Sequence, residues 1–201
     1  MQNKPKISVC IPFHWMKNWS FFLERCLKSI EQQTFKDYEI VLIKHSTMPV
    51  TSNKVIQAAH GEIIKVLYMD DFLAHIDALK KIVDNFKEDD QWLVTGCLHE
   101  DENGNRGNPH YAEFNDNIHI KNTIGSPSVL TVRNNGHLLF DENLTFYLDC
   151  DLYKRYYKKY GPPNILDDLN VVIGIGKHQM TNILTQEEKL KELNYIIKKY
   201  E

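Results

Sequence analysis

The chain has 201 residues, 42% of them hydrophobic and 25% charged, with a formal net charge of −3 and a pI near 6.3. That size suits a single domain with a substantial buried core, and nine Gly and seven Pro exclude collagen-like or low-complexity character. The charge balance argues against a general nucleic-acid binder, and no apolar run approaches the roughly 20 residues of a membrane span.

Taken in chain order, Met1 to Lys6 leads into a strand-like run without the long apolar stretch of a signal peptide. Ile7-Ser-Val-Cys-Ile11 reads as a buried strand ended by Pro12, and Phe22, Leu23, Cys26, Leu27 and Ile30 mark the apolar stripe of a helix. Glu39 to Ile43 reads as a second buried strand. Val55 to Ala59 reads as helical, with Gly61 placed to end it. Ile63 to Tyr68 gives a third strand running into Met69-Asp70-Asp71. Ile76, Leu79, Val83 and Phe86 mark another amphipathic helix, and Trp92 to Thr95 a fourth strand. The polar stretch from Glu100 to Asn122 reads as a loop-rich flap. Regularity returns with a strand over Ser128 to Arg133 and a helix over Asp149 to Tyr160. Thr185-x-x-Glu188 is a capping box opening a last helix whose apolar face is Leu190, Leu193, Ile196 and Ile197.

Alternating strands and helices predict an α/β fold, with a mostly parallel central sheet flanked by helices. Ligands of such sheets bind at the carboxyl ends of the strands. This gathers Pro12 to Trp15, Lys44 to Thr47 and Met69 to Phe72 around one crevice. The four cysteines, Cys10, Cys26, Cys97 and Cys150, form no Cys-x-x-Cys pair, so buried, reduced thiols are expected in a cytoplasmic protein.

Asp70-Asp71 has two readings. It is either a solvated turn favoured by the N-terminus of the next helix, or a set of oxygen ligands for a divalent cation whose shell substrate phosphates complete. Asp149-Cys-Asp151 likewise reads as dipole-complementing acids or as the place of a general base. Gly174-Ile-Gly-Lys-His178 lacks the third glycine of a dinucleotide fingerprint, and reads as a loop presenting Lys177 and His178 toward phosphates or a metal.

Together these segments resemble a glycosyltransferase of family 2. The opening strand Ile7 to Phe13, the run Leu23 to Val41 and the run Asn53 to Ile64 are similar to that family's first elements. Met69-Asp70-Asp71 then falls on its acidic metal motif, and Leu148-Asp149 on its "Glu-Asp". The resemblance covers about residues 6–160 and is most specific in the N-terminal third. It departs at three places: Tyr68 stands at the first acid of Asp-x-Asp, Lys44-His45-Ser46 replaces an acidic pair, and Leu148 replaces the Glu.

The resemblance implies a single-domain GT-A (Rossmann-like) fold, with a nucleotide-sugar-binding half over about 1–98 and an acceptor-binding half with the C-terminal helix over about 99–201. It implies inverting transfer from a nucleotide-diphosphate sugar to a glycan or other hydroxyl acceptor, with Mn2+ or Mg2+, in glycan or polysaccharide synthesis. Asp149 is the implied base. Asp70, Asp71 and His178 are the implied metal ligands, with the choice between the two aspartates open. Pro12, Phe13, His14, Lys44, His45, Ser46, Asn53 and Asp70 are the implied donor-binding residues. The three departures also motivate an alternative, a catalytically degenerate module that binds a sugar nucleotide or a glycan. Peripheral membrane association and oligomeric state stay open.

Overall fold

Strand β1 (Ile7–Phe13) is buried along its whole length. In this computed structural model, which describes residues 4–136 and 138–201, it lies between β2 (Tyr38–Lys44) and β3 (Ile63–Val66), parallel to both. Pro12 lies inside the strand rather than ending it. Pairing with β3 stops at Cys10 opposite Val66. Beyond that point β1 has a partner on one side only, so a proline there removes no ladder bond from a central position.

Helices α1 (Trp19–Glu31) and α2 (Met48–Gln57) follow β1 and β2. Buried Cys26 and Ile30 confirm the stripe expected for α1. Helix α2 starts earlier than expected, with proline in its first turn, and ends before Gly61. Gly61 instead permits a close approach of two segments. A Cβ there would sit 2.5 Å from the backbone nitrogen of Ser8, so only glycine lets them meet. Strand β2 is an edge strand with Ile40 and Leu42 exposed, where a buried strand was expected.

The two-residue β4 (Phe72–Leu73) and helix α3 (Ala78–Asn85) lead to β5 (Trp92–Glu100). Strand β6 (Arg106–His110) folds back on β5 as an antiparallel hairpin, so the first half of the expected flap is sheet. A 3-10 turn at Pro127–Val129 opens β7 (Leu130–Arg133). Helix α4 (Leu148–Tyr160), strand β8 (Asn164–Gly174), the one-turn α5 (Met180–Ile183) and α6 (Gln186–Tyr200) complete the chain. The order across the sheet is β2-β1-β3-β7-β5-β8-β4, with β6 also on β5.

The sheet is mixed. Pairings β1–β2, β1–β3 and β5–β8 are parallel, whereas β7 runs antiparallel between β3 and β5. The capping box at α6 forms as expected, with both reciprocal hydrogen bonds present. All four cysteines are buried and unpaired. No helix among the described residues is long and apolar enough to cross a membrane.

Candidate active site

The carboxyl ends of β1, β3, β5 and β8 meet around Asp70 and Asp71, and the backbone there is held from several directions. Tyr68 N–H donates to Ser128 Oγ at 2.8 Å, and Asp71 N–H to the Tyr68 carbonyl at 3.0 Å. From α1, Arg25 donates to the carbonyl of Asp70 at 2.7 Å and pairs with Glu100. Arg106 pairs with the same carboxylate at 2.6 Å, and both guanidinium groups lie against the Phe72 ring, at 4.3 and 5.0 Å. Glu100 is nearly buried, and two arginines answer its charge.

The two aspartates face different surroundings. Asp71 is 3% exposed and its Oδ1 accepts the Gly174 N–H at 2.9 Å. Burial, and then the neighbouring Asp70, push its pKa upward. Asp70 keeps its Oδ2 toward His178 Nε2, 3.2 Å away, in a contact not aligned as a hydrogen bond, so that His178 Nε2 is buried without a hydrogen-bond partner among the described residues. Asp70 is the main reason the His178 pKa is raised. His14 lies near both groups; burial lowers its pKa, and its Nδ1 is also unpartnered.

Asp149 sits in the first turn of α4, where the helix dipole favours a carboxylate. Its Oδ1 accepts the Cys150 N–H and its Oδ2 the Asn122 side-chain N–H, both at 2.7 Å. Burial nevertheless dominates and raises its pKa to about 6. Tyr68 lies among Asp70, Asp71 and Asp149, and burial together with their charge raises its own pKa.

His14, Asp70, Asp71, Asp149 and His178 line one cavity of about 440 Å3. A second groove, of about 910 Å3, shares His14 and His178 with it and adds the exposed rings of Trp15 and Phe21. The structure does not bring every expected residue to this place. Pro12 and Phe13 are buried in β1 and do not line the cavity. Lys44 lays its ammonium over Trp15 at 4.3 Å, and His45 pairs with Ser46 at 3.0 Å, all outside the cavity wall. Asn53 is buried and spent on structure: its amide donates to the Phe140 carbonyl and Glu142 and accepts from Phe140 N–H, at 2.8–3.0 Å.

Asn122 and Arg25 belong to the site although no sequence pattern singles them out. Asn122 accepts from the N–H groups of Ile124 and Gly125 while donating to Asp149, so one side chain closes a turn and orients a carboxylate. Its only sequence signal is a place in an Asn-rich turn region.

A hard divalent cation prefers carboxylate oxygen, and Mn2+ also accepts imidazole. The free Asp70 Oδ2 and the orphaned His178 Nε2 suit such an ion. Among the described residues no group of three or more His, Cys, Asp or Glu converges on an ion-sized space. Asp70 and His178 would thus hold an ion only partly, leaving positions for water and phosphate oxygens.

No protein-family model matches the sequence, and no curated protein matches it either. Solved structures do match its fold. Staphylococcus aureus TarS, residues 1–349 in complex with UDP-GlcNAc, superimposes with a TM-score of 0.69 at 16% identity, over 94% of this chain and 64% of that one. The same protein in complex with UDP gives a TM-score of 0.63 at 17% identity, over 96% and 64%. The mannosyltransferase PcManGT from Pyrobaculum calidifontis, in complex with GDP-Man and Mn2+, gives 0.60 at 10% identity, over 88% and 59%. The chain spans 37% to 64% of the length of the TarS chains it matches. Its fold is that of these GT-A-like proteins, a mixed sheet flanked by helices with the acidic cavity at the strand ends.

Proposed function

We propose that the chain is a glycosyltransferase of family 2, moving a sugar from a nucleotide-diphosphate donor to an acceptor hydroxyl with inversion at the anomeric carbon. One observation carries this reading: Asp149 and the Asp70–His178 pair line the same cavity on a fold shared with structures that hold UDP-GlcNAc, UDP or GDP-Man. A binder needs only one of these acidic groups. An in-line displacement needs both, one to take a proton and one near the leaving phosphate.

In the proposed reaction the acceptor oxygen attacks the anomeric carbon as Asp149 takes its proton. The bond to the nucleotide diphosphate breaks in the same step. Asn122 and the Cys150 N–H each hold one carboxylate oxygen in a fixed direction, and the raised pKa makes the carboxylate a stronger base while leaving it ionised at neutral pH. Asp70 and His178 would hold Mn2+ or Mg2+; such an ion, when bound, neutralises charge growing on the leaving diphosphate. The Arg25–Glu100–Arg106 network keeps the Asp70 backbone from drifting under that load. Donor and acceptor both need room, which the two joined cavities supply.

A second reading, a module that binds a sugar nucleotide without turnover, draws on Lys44, Tyr68 and Leu148, which replace acids of the family pattern. A thermal-shift panel separates the two. UDP, GDP, dTDP and CMP are each tested with and without Mn2+, and a nucleotide at 100 times its Kd stabilises by about 2.7 kcal/mol. One diphosphate should stabilise only with the metal, and Asp70→Asn should abolish the shift. A panel with no shift at all sinks the nucleotide-sugar reading. A shift without release of sugar from the matching donor, to any acceptor or to water, selects the second reading.

A further inference from the structure

The last helix grips the segment that carries Asp149 at two points, one on each side of that residue. On one side, the Glu192 carboxylate accepts three successive backbone N–H groups: Thr145 on Oε1 at 2.9 Å, Phe146 on Oε2 at 2.8 Å and Tyr147 on Oε2 at 3.0 Å. These three residues line the cavity and lead directly into α4. They supply N–H groups at a helix start, where such donors have no partner within the helix. No side chain of α4's own N-cap residue, Tyr147, meets that need. On the other side, buried Asp151 takes Lys199 at 2.7 Å and the Tyr200 hydroxyl at 2.7 Å, both from α6, besides Arg155 from α4. Lys199 also reaches Asp141 at 2.6 Å, just before the cavity-lining segment. Asp149 lies between the two grips.

We propose that Glu192 is a positioning residue for Asp149, and that α6 serves as a clamp setting the place and direction of the general base from outside the cavity. The proposal rests on the transferase reading above. An anionic oxygen accepting backbone N–H groups makes stronger bonds than a neutral one. Three such bonds fix the peptide planes of residues 145–147, and with them the entry of the chain into the turn that carries Asp149. Glu192 touches no cavity wall itself. It makes no direct contact with the donor there, and the proposal places its effect in the chemical step, through the position of Asp149, with donor KM as the check on any change in the cavity wall at residues 145–147.

The test uses the full chain with the nucleotide sugar selected by the thermal-shift panel, following donor consumption by transfer or by slow hydrolysis to water. A misplacement of about 1 Å in a reacting group can lower turnover about 100-fold. Glu192→Ala should therefore lower kcat by 10-fold or more, leave KM for the donor within 2-fold, and speed amide hydrogen exchange at Thr145, Phe146 and Tyr147. Glu192→Gln keeps one oxygen for Phe146 and Tyr147 and loses the bond to Thr145, so its kcat should fall between wild type and Glu192→Ala. Lys191→Ala, on the same helix and paired with surface Glu187, serves as the control and should match wild type.

Wild-type kcat in Glu192→Ala overturns the proposal, as does a joint rise in donor KM and fall in Tm with kcat intact. Failure of the transferase reading looks different, because the wild-type chain itself then consumes no donor.

Discussion

A carboxylate that takes a proton at neutral pH works best when its pKa lies just below that pH, and burial moves Asp149 up to about 6. The base must be ionised, so activity should fall as pH drops through that value, well above the range of an ordinary aspartate. Asp149→Asn keeps the shape of the side chain but cannot accept the proton. It should retain metal-dependent nucleotide binding and lose transfer by about 100- to 10,000-fold, the usual contribution of general-base catalysis. A kcat/KM profile whose acid limb sits near pH 4, or full transfer by the variant, would remove Asp149 from this role. The acids of the site were legible in the sequence because Asp70-Asp71 follows a buried strand and Asp149 opens a helix where the family resemblance expects a metal motif and a base; position alone left a solvated turn and a dipole-complementing acid equally open. The division of labour between Asp70 and Asp71 was not. It depends on Gly174, a residue 103 positions later whose N–H engages Asp71 and leaves Asp70 for His178.

Gly174 ends β8, the longest of the elements that the sequence hid. Asp167, Asp168 and Asn170 break the apolar pattern that marks a buried strand, and acids are depleted in strands. The structure accommodates them with a register shift against β5 at Thr95 and Gly96. Asp168 then pairs with Lys81 and, at 2.9 Å, with His75. Pro12 misled in the opposite direction, since a strand tolerates proline where its neighbour has already ended. The strand end at Gly174 is also where close approach is needed: a Cβ there would stand 2.6 Å from the Asp70 carbonyl oxygen. Gly174→Ala should push that backbone away, costing about 1–3 kcal/mol as overpacking does. The metal-dependent nucleotide shift should weaken more than the loss of stability alone explains. Melting curves with and without nucleotide and Mn2+ decide the matter, and an unchanged ligand shift would mean that β8 covers the acidic turn without shaping it.

Strand β7, which comes late in the chain, is inserted between β3 and β5, both from earlier in it, and Lys65 lies on the β3 side of that junction. It is fully buried in β3 opposite Thr131, and its ammonium reaches the Ser128 carbonyl. Burial lowers its pKa to about 7, with Asp71 the main opposing charge. The unfolded chain keeps this lysine protonated to about pH 10.4. Between these values the unfolded state holds more protons than the folded one, so the lysine makes stability rise with pH, by at most about 1.4 kcal/mol per pH unit. Asp149 acts in the opposite direction and at lower pH. Its folded pKa lies above the unfolded value, so its contribution to stability declines as pH rises toward 6. Lys65→Met removes the amine while keeping most of the buried volume. The difference in unfolding free energy between variant and wild type should therefore be flat below about pH 7 and move steadily in favour of the wild type from there to about pH 10. Urea unfolding at a series of pH values measures it, and a difference independent of pH across that span would mean that Lys65 keeps an ordinary pKa at the β3–β7 junction.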